Sequence, residues 1–238
     1  MNIKDAVVLI TGANRGLGRA FALQALERGA RKVYATARDP ASVSIPGVVP
    51  LRLDVTDDAQ VADVIRQCTD VTVVVNNAGI ANVGGFLDAG SVEAARTQLE
   101  TNFFGMLRLS QGFAPILASH GGGAILNVLS VASWVNIPLI GVYSATKSAA
   151  WGLTNGLRLE LKKQGTQVTS LHVGFVDTDL TRGLDVPKVS ASEVVTAAYA
   201  GLEAGADEVL ADETSLLVKS SLSANRALYL TGVPLSAG

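Results

Sequence analysis

Residues 6–18 read AVVLITGANRGLG, an apolar run followed at once by a turn that contains three glycines. The run from Ala6 to Ile10 is nearly continuous, as is typical of a strand buried on both faces of a parallel sheet. Helix-forming residues extend from Leu17 to Arg28, and Gly29 ends that helix before strand-forming residues resume at Lys32–Thr36. This stretch therefore predicts two parallel strands joined by a helix, with a glycine-rich turn after the first strand.

The alternation of strands and helices continues along the chain. Val48–Leu53 reads as a strand, Thr56 as the N-cap of the next helix, and Val71–Val75 as another strand. Further elements are predicted at 91–119 (helix), 124–129 (strand), 143–163 (helix), 167–173 (strand), 191–203 (helix) and 208–210 (strand). This order predicts an α/β fold with a Rossmann-type, doubly wound parallel sheet and helices on both faces. Because no linker or repeat interrupts the pattern, we expect a single domain over residues 1–238.

Composition narrows the classes of function. Hydrophobic residues make up 48% of the chain and charged residues 17%, a balance that suits a large buried core. A net charge of −2 provides no basic surface for a phosphate backbone, so we expect no nucleic-acid partner. Cys68 is the only cysteine, and it falls on the apolar face of the helix after Thr56, so we expect it in the core. A lone cysteine allows no internal disulfide, which fits a reducing cytoplasm.

The apolar runs do not predict a membrane protein. Val7–Ile10 is too short for the core of a signal peptide. The longest apolar stretch, 125–142, contains two asparagines and a proline, which argue against a membrane span. We therefore expect a soluble, cytoplasmic protein with no membrane partner. The two histidines, His120 and His172, lack the companions of a metal site, so no metal is expected.

The glycine turn spaces Gly12, Gly16 and Gly18 as G-x-x-x-G-x-G, which differs from the dinucleotide fingerprint G-x-G-x-x-G. The physics is the same in both patterns. Residues without side chains let the backbone approach a pyrophosphate, which the amides of a helix N-terminus then hold. Taken alone, the turn is also consistent with a tight connection between a strand and a helix.

Tyr143 and Lys147 stand four residues apart on a predicted helix, so their side chains share a face and reach the same ligand. A phenol has a pKa of about 10, and a nearby ammonium lowers that pKa by favouring the phenolate. The pair can therefore serve as a tuned general acid. Taken alone, such a pair is most often a partly exposed helix face, so its assignment depends on other motifs.

Five motifs occur in a fixed order along residues 7–180. They are the turn of Gly12, Gly16 and Gly18, the segment Asn76-Asn77-Ala78-Gly79, Asn102, Ser130, and the segment Tyr143-Ser144-Ala145-Thr146-Lys147. With these motifs the chain resembles the short-chain dehydrogenase/reductase family, in which the serine precedes the tyrosine by thirteen residues, as here. The resemblance is to carbonyl reductases that prefer NADP, and it implies hydride transfer between a nicotinamide cofactor and a carbonyl/alcohol pair.

The resemblance implies a role for each residue of the reacting centre. Tyr143 would donate a proton to the substrate oxygen, which Ser130 would hold by a hydrogen bond. Lys147 would bind the hydroxyls of the nicotinamide ribose and lower the pKa of Tyr143. Asn102 would anchor a water that links Lys147 to a proton relay.

The resemblance also implies the residues that contact the cofactor. They are Gly12, Asn14, Arg15, Gly16, Leu17, Gly18, Arg38, Asp54, Val55, Asn76, Ala78, Gly79, Tyr143, Lys147, Gly174, Val176 and Thr178. Asp54 would meet the adenine amino group, although it is also consistent with ordinary polarity at a helix entry. Asn76 would brace the central strand, and Thr178 would contact the carboxamide or the pyrophosphate.

Two departures from the family pattern lie close to the reacting centre. The chain has Val173-Gly174 where the family often has Pro-Gly, so we expect a looser turn at that point. Leu129 occupies a position that is often serine. Neither change removes a reacting group.

The end of the second strand decides between NAD and NADP. NAD binding needs an acidic side chain there for the adenosine ribose. The resemblance aligns Ala37 with that position, and Arg38 follows it with a guanidinium suited to a ribose phosphate. Arg15 in the glycine turn supplies a second positive charge, so we expect NADP(H). The alternative is an NAD-dependent alcohol dehydrogenase in which both arginines are solvated and Asp39 neutralises Arg38.

By resemblance, the substrate pocket lies between the segment after Ser130 and the loop after Gly174. The residues placed near it are Trp134, Val135, Ile137 and Phe175. Apolar walls of this kind favour a small hydrophobic ketone or aldehyde, although these side chains are also consistent with core positions.

We therefore expect an NADPH-dependent oxidoreductase that reduces such a carbonyl compound to the alcohol. The alternative from another class is a regulatory protein that binds a nicotinamide cofactor without turnover, and the presence of all three reacting residues counts against it. Ala149, Gly152 and Gly156 are small residues on the helix from Tyr143 and would let a second helix approach closely. With the family resemblance, they imply a homodimer or homotetramer.

Overall fold

The structure, a computed structural model, describes residues 1–232; residues 233–238 of the predicted domain lie outside the described part. The strands are β1 (Val7–Ile10), β2 (Lys32–Ala37), β3 (Val49–Arg52), β4 (Val73–Asn76), β5 (Gly123–Val128), β6 (Thr166–His172), β7 (Val176–Asp177), β8 (Val189–Ser190) and β9 (Glu208–Leu210). The helices are α1 (Gly16–Glu27), α2 (Asp58–Gln67), α3 (Ser91–Leu99), α4 (Gly105–Ser119), α5 (Gly141–Leu161), α6 (Ala191–Glu203), α7 (Glu213–Ser221) and α8 (Leu228–Thr231). The predicted α/β fold is confirmed.

Seven strands form one sheet in the order β3-β2-β1-β4-β5-β6-β9, and every adjacent pair is parallel. From β1 the chain winds outward to β3, and from β4 it winds outward in the other direction to β9. The winding therefore reverses between β1 and β4, where Val8 pairs with Val73. In a sheet of this kind the ligand crevice lies outside the carboxyl ends of the strands at the reversal.

Each face of the sheet carries its own apolar core. Val8 and Ile10 lie in the core formed with α1 and α6, whereas Val7 and Leu9 lie in the core formed with α2, α4 and α5. Successive residues of a strand point to opposite faces, so a central strand covered on both sides needs an unbroken apolar run. Cys68 lies buried in the second core, as predicted.

An aromatic pair holds α6 against α1. The rings of Phe21 and Tyr199 meet edge to face with their centroids 5.3 Å apart, and both side chains are fully buried. The Tyr199 hydroxyl donates a hydrogen bond to the Phe21 carbonyl oxygen at 3.0 Å, which satisfies its one polar atom. Burial of a large apolar side chain stabilises the fold by about 1.5–3 kcal/mol. This pair therefore fixes the position of α1, the helix that begins within the glycine turn.

The start of α2 differs from the prediction. Asp57, and not Thr56, caps the helix: its carboxylate accepts hydrogen bonds from the N–H groups of Ala59 (3.0 Å) and Gln60 (3.1 Å). The Thr56 hydroxyl instead donates to a carboxylate oxygen of Asp54 at 2.8 Å. The prediction was wrong because threonine and aspartate are both good N-caps, and only the backbone geometry decides between neighbours.

Three other features were not predicted. A π-helical segment, Glu100–Phe104, separates α3 from α4 within the helix predicted over 91–119. The short strands β7 and β8 pair with each other beside the main sheet. Helix α7 was missed because only Ser215 and Val218 are buried along it, so its sequence carries no long apolar stripe. Within residues 1–232, no helix has both the length and the apolar character that a membrane crossing requires.

Candidate active site

A cleft of about 810 Å³ opens at the carboxyl ends of the central strands. This volume falls in the range of about 300–1,000 Å³ that is common for small-molecule sites. The predicted site residues that line the cleft are Gly12, Asn14, Arg15, Gly16, Leu17, Arg38, Asp54, Val55, Ala78, Gly79, Ser130, Tyr143, Lys147, Gly174, Val176 and Thr178. The structure therefore brings together, in one cleft, residues from family motifs that are spread over most of the chain.

The glycine turn needs residues without side chains. Gly12 and Gly16 have φ angles of 64° and 53°, in the left-handed region that glycine adopts without strain. Gly18 does not line the cleft: a Cβ there would overlap the Gly12 carbonyl oxygen and lie 2.6 Å from Nδ2 of Asn77. The first two glycines thus shape the turn, and the third permits close packing beneath it.

Asn77, a residue with no predicted role, holds this turn in place. Its Nδ2 donates to the carbonyl oxygens of Thr11 (2.8 Å) and Gly12 (3.3 Å). The Thr11 hydroxyl oxygen in turn accepts from the N–H groups of Asn77 (3.0 Å) and Ala78 (2.9 Å). The turn after β1 is thereby fixed to the segment after β4.

Asn77→Asp is expected to lower the free energy of unfolding by about 1–3 kcal/mol, because it removes the donor and places a carboxylate against two carbonyl oxygens. Asn155→Asp is the matched control, since Asn155 accepts from Arg158 at 2.7 Å and aspartate preserves that acceptor. The control should change the unfolding free energy by less than about 0.5 kcal/mol. Urea titrations followed by tryptophan fluorescence measure both values. Equal losses in the two variants would show that Asn77 does not hold the turn.

The part of the cleft wall that is formed by the residues after β2 carries positive charge. Ala37 is the buried last residue of β2, and Arg38 after it is exposed and lines the cleft. Arg38 forms no ion pair with any residue in the described range 1–232. The neighbouring Asp39 carboxylate accepts from the N–H of Ala41 at 3.0 Å and caps a short 3₁₀ turn. Asp39 therefore forms no direct ion pair with Arg38.

Arg15 lies in the same cleft but has a different partner. Its guanidinium is 3.5 Å from the carboxylate of Asp179, and both side chains are largely exposed. Asp179 also pairs with Arg182, three residues further on. Because exposed ion pairs are worth only about 0–1 kcal/mol, a ligand phosphate can compete for Arg15. Arg38, which forms no ion pair within residues 1–232, is therefore more available to a ligand phosphate than Arg15 is.

Ser130 and Lys147 are both anchored to backbone at the other end of the cleft. The Ser130 hydroxyl oxygen accepts from the N–H of Ala132 at 3.1 Å and lies 3.3 Å from the Val173 carbonyl oxygen, to which it donates. The buried Lys147 ammonium donates to the Val128 carbonyl oxygen at 2.8 Å. It lies 5.7 Å from the centroid of the Tyr143 ring. These contacts place a hydroxyl, a phenol and an ammonium around one space.

The pKa of Tyr143 differs from the expectation. Burial raises the pKa of Tyr143 to about 12, and contact with the Ser130 hydroxyl opposes this rise only in part. Burial also lowers the pKa of Lys147 to about 8. The prediction that Lys147 lowers the pKa of Tyr143 is wrong for the chain by itself, because the ammonium is directed at a backbone carbonyl and desolvation dominates at the phenol. At neutral pH the phenol therefore keeps its proton.

Asn102 lies in the π-helical segment and is buried. Its Oδ1 accepts from the N–H of Ile80 at 2.9 Å, and its Nδ2 donates to the Ile80 carbonyl (2.9 Å) and the Thr146 hydroxyl (2.9 Å). The side chain therefore ties the segment after Gly79 to the helix that carries Lys147, and it does not line the cleft. π-Helical segments often occur at functional sites, where they redirect a side chain.

Asn76 also lies outside the cleft wall. Its Nδ2 donates to Oδ1 of Asn127 at 2.8 Å and lies 3.3 Å from the Ser110 hydroxyl. This contact joins β4 to β5 and agrees with the predicted bracing of the central strand. Its neighbours Asn77, Ala78 and Gly79 line the cleft instead.

A sequence model of the short chain dehydrogenase family matches residues 6–187, more than half of the chain. The chain belongs to the short-chain dehydrogenase family. This family consists of oxidoreductases, and the match spans the glycine turn and the three residues of the reacting centre.

Relatives of this short-chain dehydrogenase agree with the assignment. A 3-ketodihydrosphingosine reductase from Bacteroides thetaiotaomicron is 32% identical over 192 residues, covering 79% of this chain and 70% of that protein. A short chain dehydrogenase from Burkholderia cenocepacia, solved in complex with NADP, is 41% identical with a TM-score of 0.91, covering 95% of this chain and 96% of that one. A family member from Burkholderia phymatum, solved in complex with NAD, is 24% identical with a TM-score of 0.84 over 99% of each chain and shows the fold alone.

The wall of the cleft is not formed by the apolar residues predicted to lie near the substrate. None of the four residues Trp134, Val135, Ile137 and Phe175 lines the cleft. Trp134 and Val135 are buried against Val218 of α7, a helix that the sequence did not reveal. Apolar residues that do line the cleft include Ile80, Leu129 and Leu180.

The turn after β6 is tighter than expected. The N–H of Gly174 donates to a carboxylate oxygen of Asp212 at 2.7 Å, and Asp212 also caps α7 by accepting from the N–H of Ser215. The carbonyl of Val173 accepts from the N–H of Val131 at 3.0 Å. The dehydrogenase thus fixes this turn by hydrogen bonds where many relatives rely on proline. Within residues 1–232, no three His, Cys, Asp or Glu side chains lie together as metal ligands would.

Proposed function

We propose that this short-chain dehydrogenase is an NADPH-dependent reductase that converts the carbonyl of a small hydrophobic ketone or aldehyde to the alcohol. The observation that carries the proposal is a single cleft with Ser130, Tyr143 and Lys147 at one end and the exposed guanidinium of Arg38 at the other. In such a cleft, NADPH would place its nicotinamide beside Ser130, Tyr143 and Lys147 and the phosphate on its adenosine ribose beside Arg38.

The shape of the cleft supports this cofactor. The backbone of Gly12 and Gly16 offers a bare surface at the N-terminus of α1, where amides and the helix dipole favour a pyrophosphate. A Cβ at Gly79 would lie 3.3 Å from Oδ1 of Asn102 and 3.9 Å from Nζ of Lys147, so glycine keeps this wall close to the ammonium. Lys147 would hold ribose hydroxyls there, while Asp54 and Val55 would hold the adenine.

Side chains of the cleft would donate a proton to the substrate oxygen and stabilise the negative charges that form during the reaction. Bound NADPH supplies the hydride. Tyr143, which keeps its proton at neutral pH, would donate it to the substrate oxygen. The Ser130 hydroxyl would donate a hydrogen bond to the same oxygen and stabilise the developing negative charge. The Lys147 ammonium would stabilise the phenolate that forms at Tyr143, and Asn102 would keep the helix of Lys147 against the segment after Gly79.

The charge at the end of β2 supports NADPH over NADH. An acidic residue that would accept from the adenosine ribose is missing at Ala37, and Arg38 offers an exposed guanidinium beside it. NADP occupies the related structure from Burkholderia cenocepacia, which is 41% identical, and this agrees with the charge pattern.

Apolar side chains on the wall of the cleft support a hydrophobic substrate. Ile80, Leu129 and Leu180 line the cleft that holds Ser130 and Tyr143. Leu180 is 55% exposed, so it offers apolar surface that a substrate would cover. The relative named for reduction of 3-ketodihydrosphingosine is consistent with a ketone of this character.

The direct test mixes the protein and NADPH with a panel of ketones, aldehydes and quinones and follows the loss of NADPH absorbance. Hydrophobic ketones or aldehydes are expected to be reduced. NADPH binding without reduction of any member of the panel would favour the regulatory alternative. A higher kcat/KM with NADH would favour the NAD-dependent alcohol dehydrogenase.

We also propose a closed homo-oligomer built on α5. Apart from its chain neighbours and the backbone of its own helix, a Cβ at Gly152 or Gly156 would meet no atom of residues 1–232 within 4 Å, so these glycines do not serve packing against other described elements. Leu159, on the same helical face at i+3 from Gly156, is 75% exposed. A second copy of α5 would cover this face, and closed two-fold symmetry is the common solution.

Light scattering at micromolar concentration is expected to give two or four times the chain mass of 24.6 kDa. Leu159→Glu should shift the protein toward the single-chain mass, because it places a charge on the covered face. Leu216→Glu is the matched control: Leu216 lies on α7 and is 54% exposed. A single-chain mass for the parent, or equal shifts in both variants, would rule out this interface.

The remaining partners follow from composition. We propose a small carbonyl or alcohol compound as the substrate and neither nucleic acid nor membrane as a partner. The buried free thiol of Cys68 and the lack of any other cysteine suit a reducing cytoplasm, where we place the protein.

A further inference from the structure

His172 is a buried residue for which the family motifs assign no role. It ends β6, is fully buried, and stacks on Trp134 with ring centroids 3.9 Å apart and planes 18° from parallel. Its Nδ1 lies 3.3 Å from the carbonyl oxygen of Ser130, and its Nε2 lies 3.8 Å from a carboxylate oxygen of Glu208. The imidazole thus lies between the backbone of Ser130 and β9.

The surroundings decide which ring nitrogen carries the proton. Burial lowers the pKa of His172 to about 4, so at neutral pH the ring has a single N–H. Glu208 is already satisfied, because Nε1 of Trp151 (3.4 Å) and Nζ of Lys219 donate to its two oxygens. Nε2 of His172 has no hydrogen-bond partner among the described residues, and 3.8 Å is too long for one. A proton on Nδ1, by contrast, makes a hydrogen bond to the Ser130 carbonyl.

We propose that His172 is a positioning residue that orients Ser130 through a hydrogen bond from Nδ1–H to the Ser130 carbonyl oxygen. The inference rests on the proposed function, in which Ser130 holds the substrate oxygen, and adds to it a buried support for that serine. Trp134 supports one face of the imidazole, and the ion pair of Glu208 with Lys219 lies at its far edge.

The peptide after Ser130 sets the position of its hydroxyl. The Ser130 carbonyl accepts from His172 Nδ1 and also from the N–H of Ser133 at 3.0 Å. The N–H on the other side of the same peptide, that of Val131, donates to the Val173 carbonyl at 3.0 Å. Loss of one of these bonds lets the peptide rotate and moves the hydroxyl. A displacement of about 1 Å at a reacting group costs about 10²-fold in rate.

Helix α7 contributes to the surroundings of the His172 ring through Lys219. Its ammonium lies 5.0 Å from the ring centroid of Trp134 and 5.9 Å from that of Trp151, and it pairs with Glu208. The charged groups that act on the His172 ring are Glu208, Lys219 and Lys147. Lys219 opposes the effect of the carboxylate charge, which would otherwise draw the proton to Nε2. The single proton of the neutral imidazole can therefore stay on Nδ1, which faces the Ser130 carbonyl.

The test compares His172→Asn with His172→Gln. The amide nitrogen of asparagine can take the place of Nδ1, whereas that of glutamine reaches the place of Nε2, and both variants lose the same ring stacking. The Asn variant should retain kcat within about threefold, and the Gln variant should lose at least about tenfold. NADPH affinity should match that of the parent in both. Equal kcat in the two variants, after correction for the folded fraction, would overturn the proposal.

A second measurement does not depend on activity. Nitrogen NMR of isotopically labelled histidine, with His120→Asn to assign the only other signal, is expected to show His172 protonated at Nδ1. Protonation at Nε2 would overturn the proposal whether or not any carbonyl is reduced. If the parent reduces no member of the panel, the proposed function fails, and amide exchange at Val131 then decides the positioning. Exchange should be faster in the Gln variant than in the Asn variant, and equal rates would overturn the role of His172.

A third variant leaves the ring in place if both substitutions at His172 prevent folding. Lys219→Met removes the charge that balances Glu208, so it should increase the fraction of His172 protonated at Nε2 and lower kcat several-fold. The same NMR signal and the same assay report both effects. A changed tautomer with unchanged kcat would show that the hydrogen bond does not position Ser130 for the reaction.

Discussion

Tyr143→Phe is expected to lower kcat for carbonyl reduction by about 10²–10⁴. The substitution removes only the hydroxyl and keeps the ring, so the fold and the affinity for NADPH should stay close to those of the parent. The hydroxyl holds its proton at neutral pH, because burial raises the pKa of Tyr143 to about 12. The rate loss therefore reports a missing acid. Loss of NADPH absorbance gives kcat, and quenching of tryptophan fluorescence gives the affinity for NADPH.

Tyr34→Phe is the matched control for this experiment. The Tyr34 hydroxyl donates to the Asp70 carboxylate at 2.9 Å, on β2 and away from the cleft wall. Its removal should leave kcat within about twofold, at a cost of about 1 kcal/mol in stability. If turnover by Tyr143→Phe stays within about threefold of the parent, another group donates the proton. A loss in NADPH affinity that equals the loss in kcat would instead give Tyr143 a binding role.

The fold followed from sequence because its signals are local. The run Ala6–Ile10 is apolar at every position, and the structure shows why: Val8 and Ile10 enter one core while Val7 and Leu9 enter the other. A strand buried on both faces can be recognised without knowledge of its neighbours. The same holds for the glycine turn, whose positive φ angles depend on the residues themselves.

The misassigned and missed residues around the cleft involve contacts between distant parts of the chain. Trp134 was assigned to the substrate pocket, but Val218, more than eighty residues later, packs against it in the core. The turn at Gly174 was expected to be loose, but Asp212 closes it with a hydrogen bond. Asn77 escaped notice because its partners Thr11 and Gly12 belong to another βα turn. No local pattern encodes such pairings, since they depend on which strands become neighbours.

The pKa of Tyr143 exposes a similar limit. The i, i+4 spacing correctly places Tyr143 and Lys147 on one face of α5, and both line the cleft. Spacing alone does not reveal that the Lys147 ammonium turns to the Val128 carbonyl or that burial controls both groups. Electrostatic effects of this kind depend on solvent access, which a sequence pattern does not report.

The proposed preference for NADPH rests on two adjacent residues with different exposure. Ala37 is buried at the end of β2, and Arg38 is exposed and lines the cleft. Asp39, the nearest acid in sequence, is engaged with the N–H of Ala41. Arg15 is engaged with Asp179. We therefore propose Arg38 as the cation that would bind the phosphate on the adenosine ribose.

Ala37→Asp combined with Arg38→Leu is expected to reverse the preference from NADPH to NADH. A charge-assisted hydrogen bond contributes about 1.5–3 kcal/mol, and about 1.4 kcal/mol is tenfold in affinity. Loss of Arg38 alone should thus weaken NADPH by about 10- to 100-fold. The new carboxylate at position 37 repels the phosphate and accepts from the ribose hydroxyls of NADH. Values of kcat/KM for both cofactors, measured on the parent and the double variant, give the change in preference.

Arg31→Leu is the control for the loss of one positive charge. Arg31 is also exposed, but it precedes β2 and so lies at the opposite end of the strand from Arg38. Its removal should change the NADPH to NADH ratio of kcat/KM by less than about twofold, because screening weakens a charge beyond about 10 Å. An equal change in the control would indicate net charge as the cause. A parent enzyme that already prefers NADH would show that Arg38 does not bind the phosphate, since the affinity assigned to its guanidinium would then be absent.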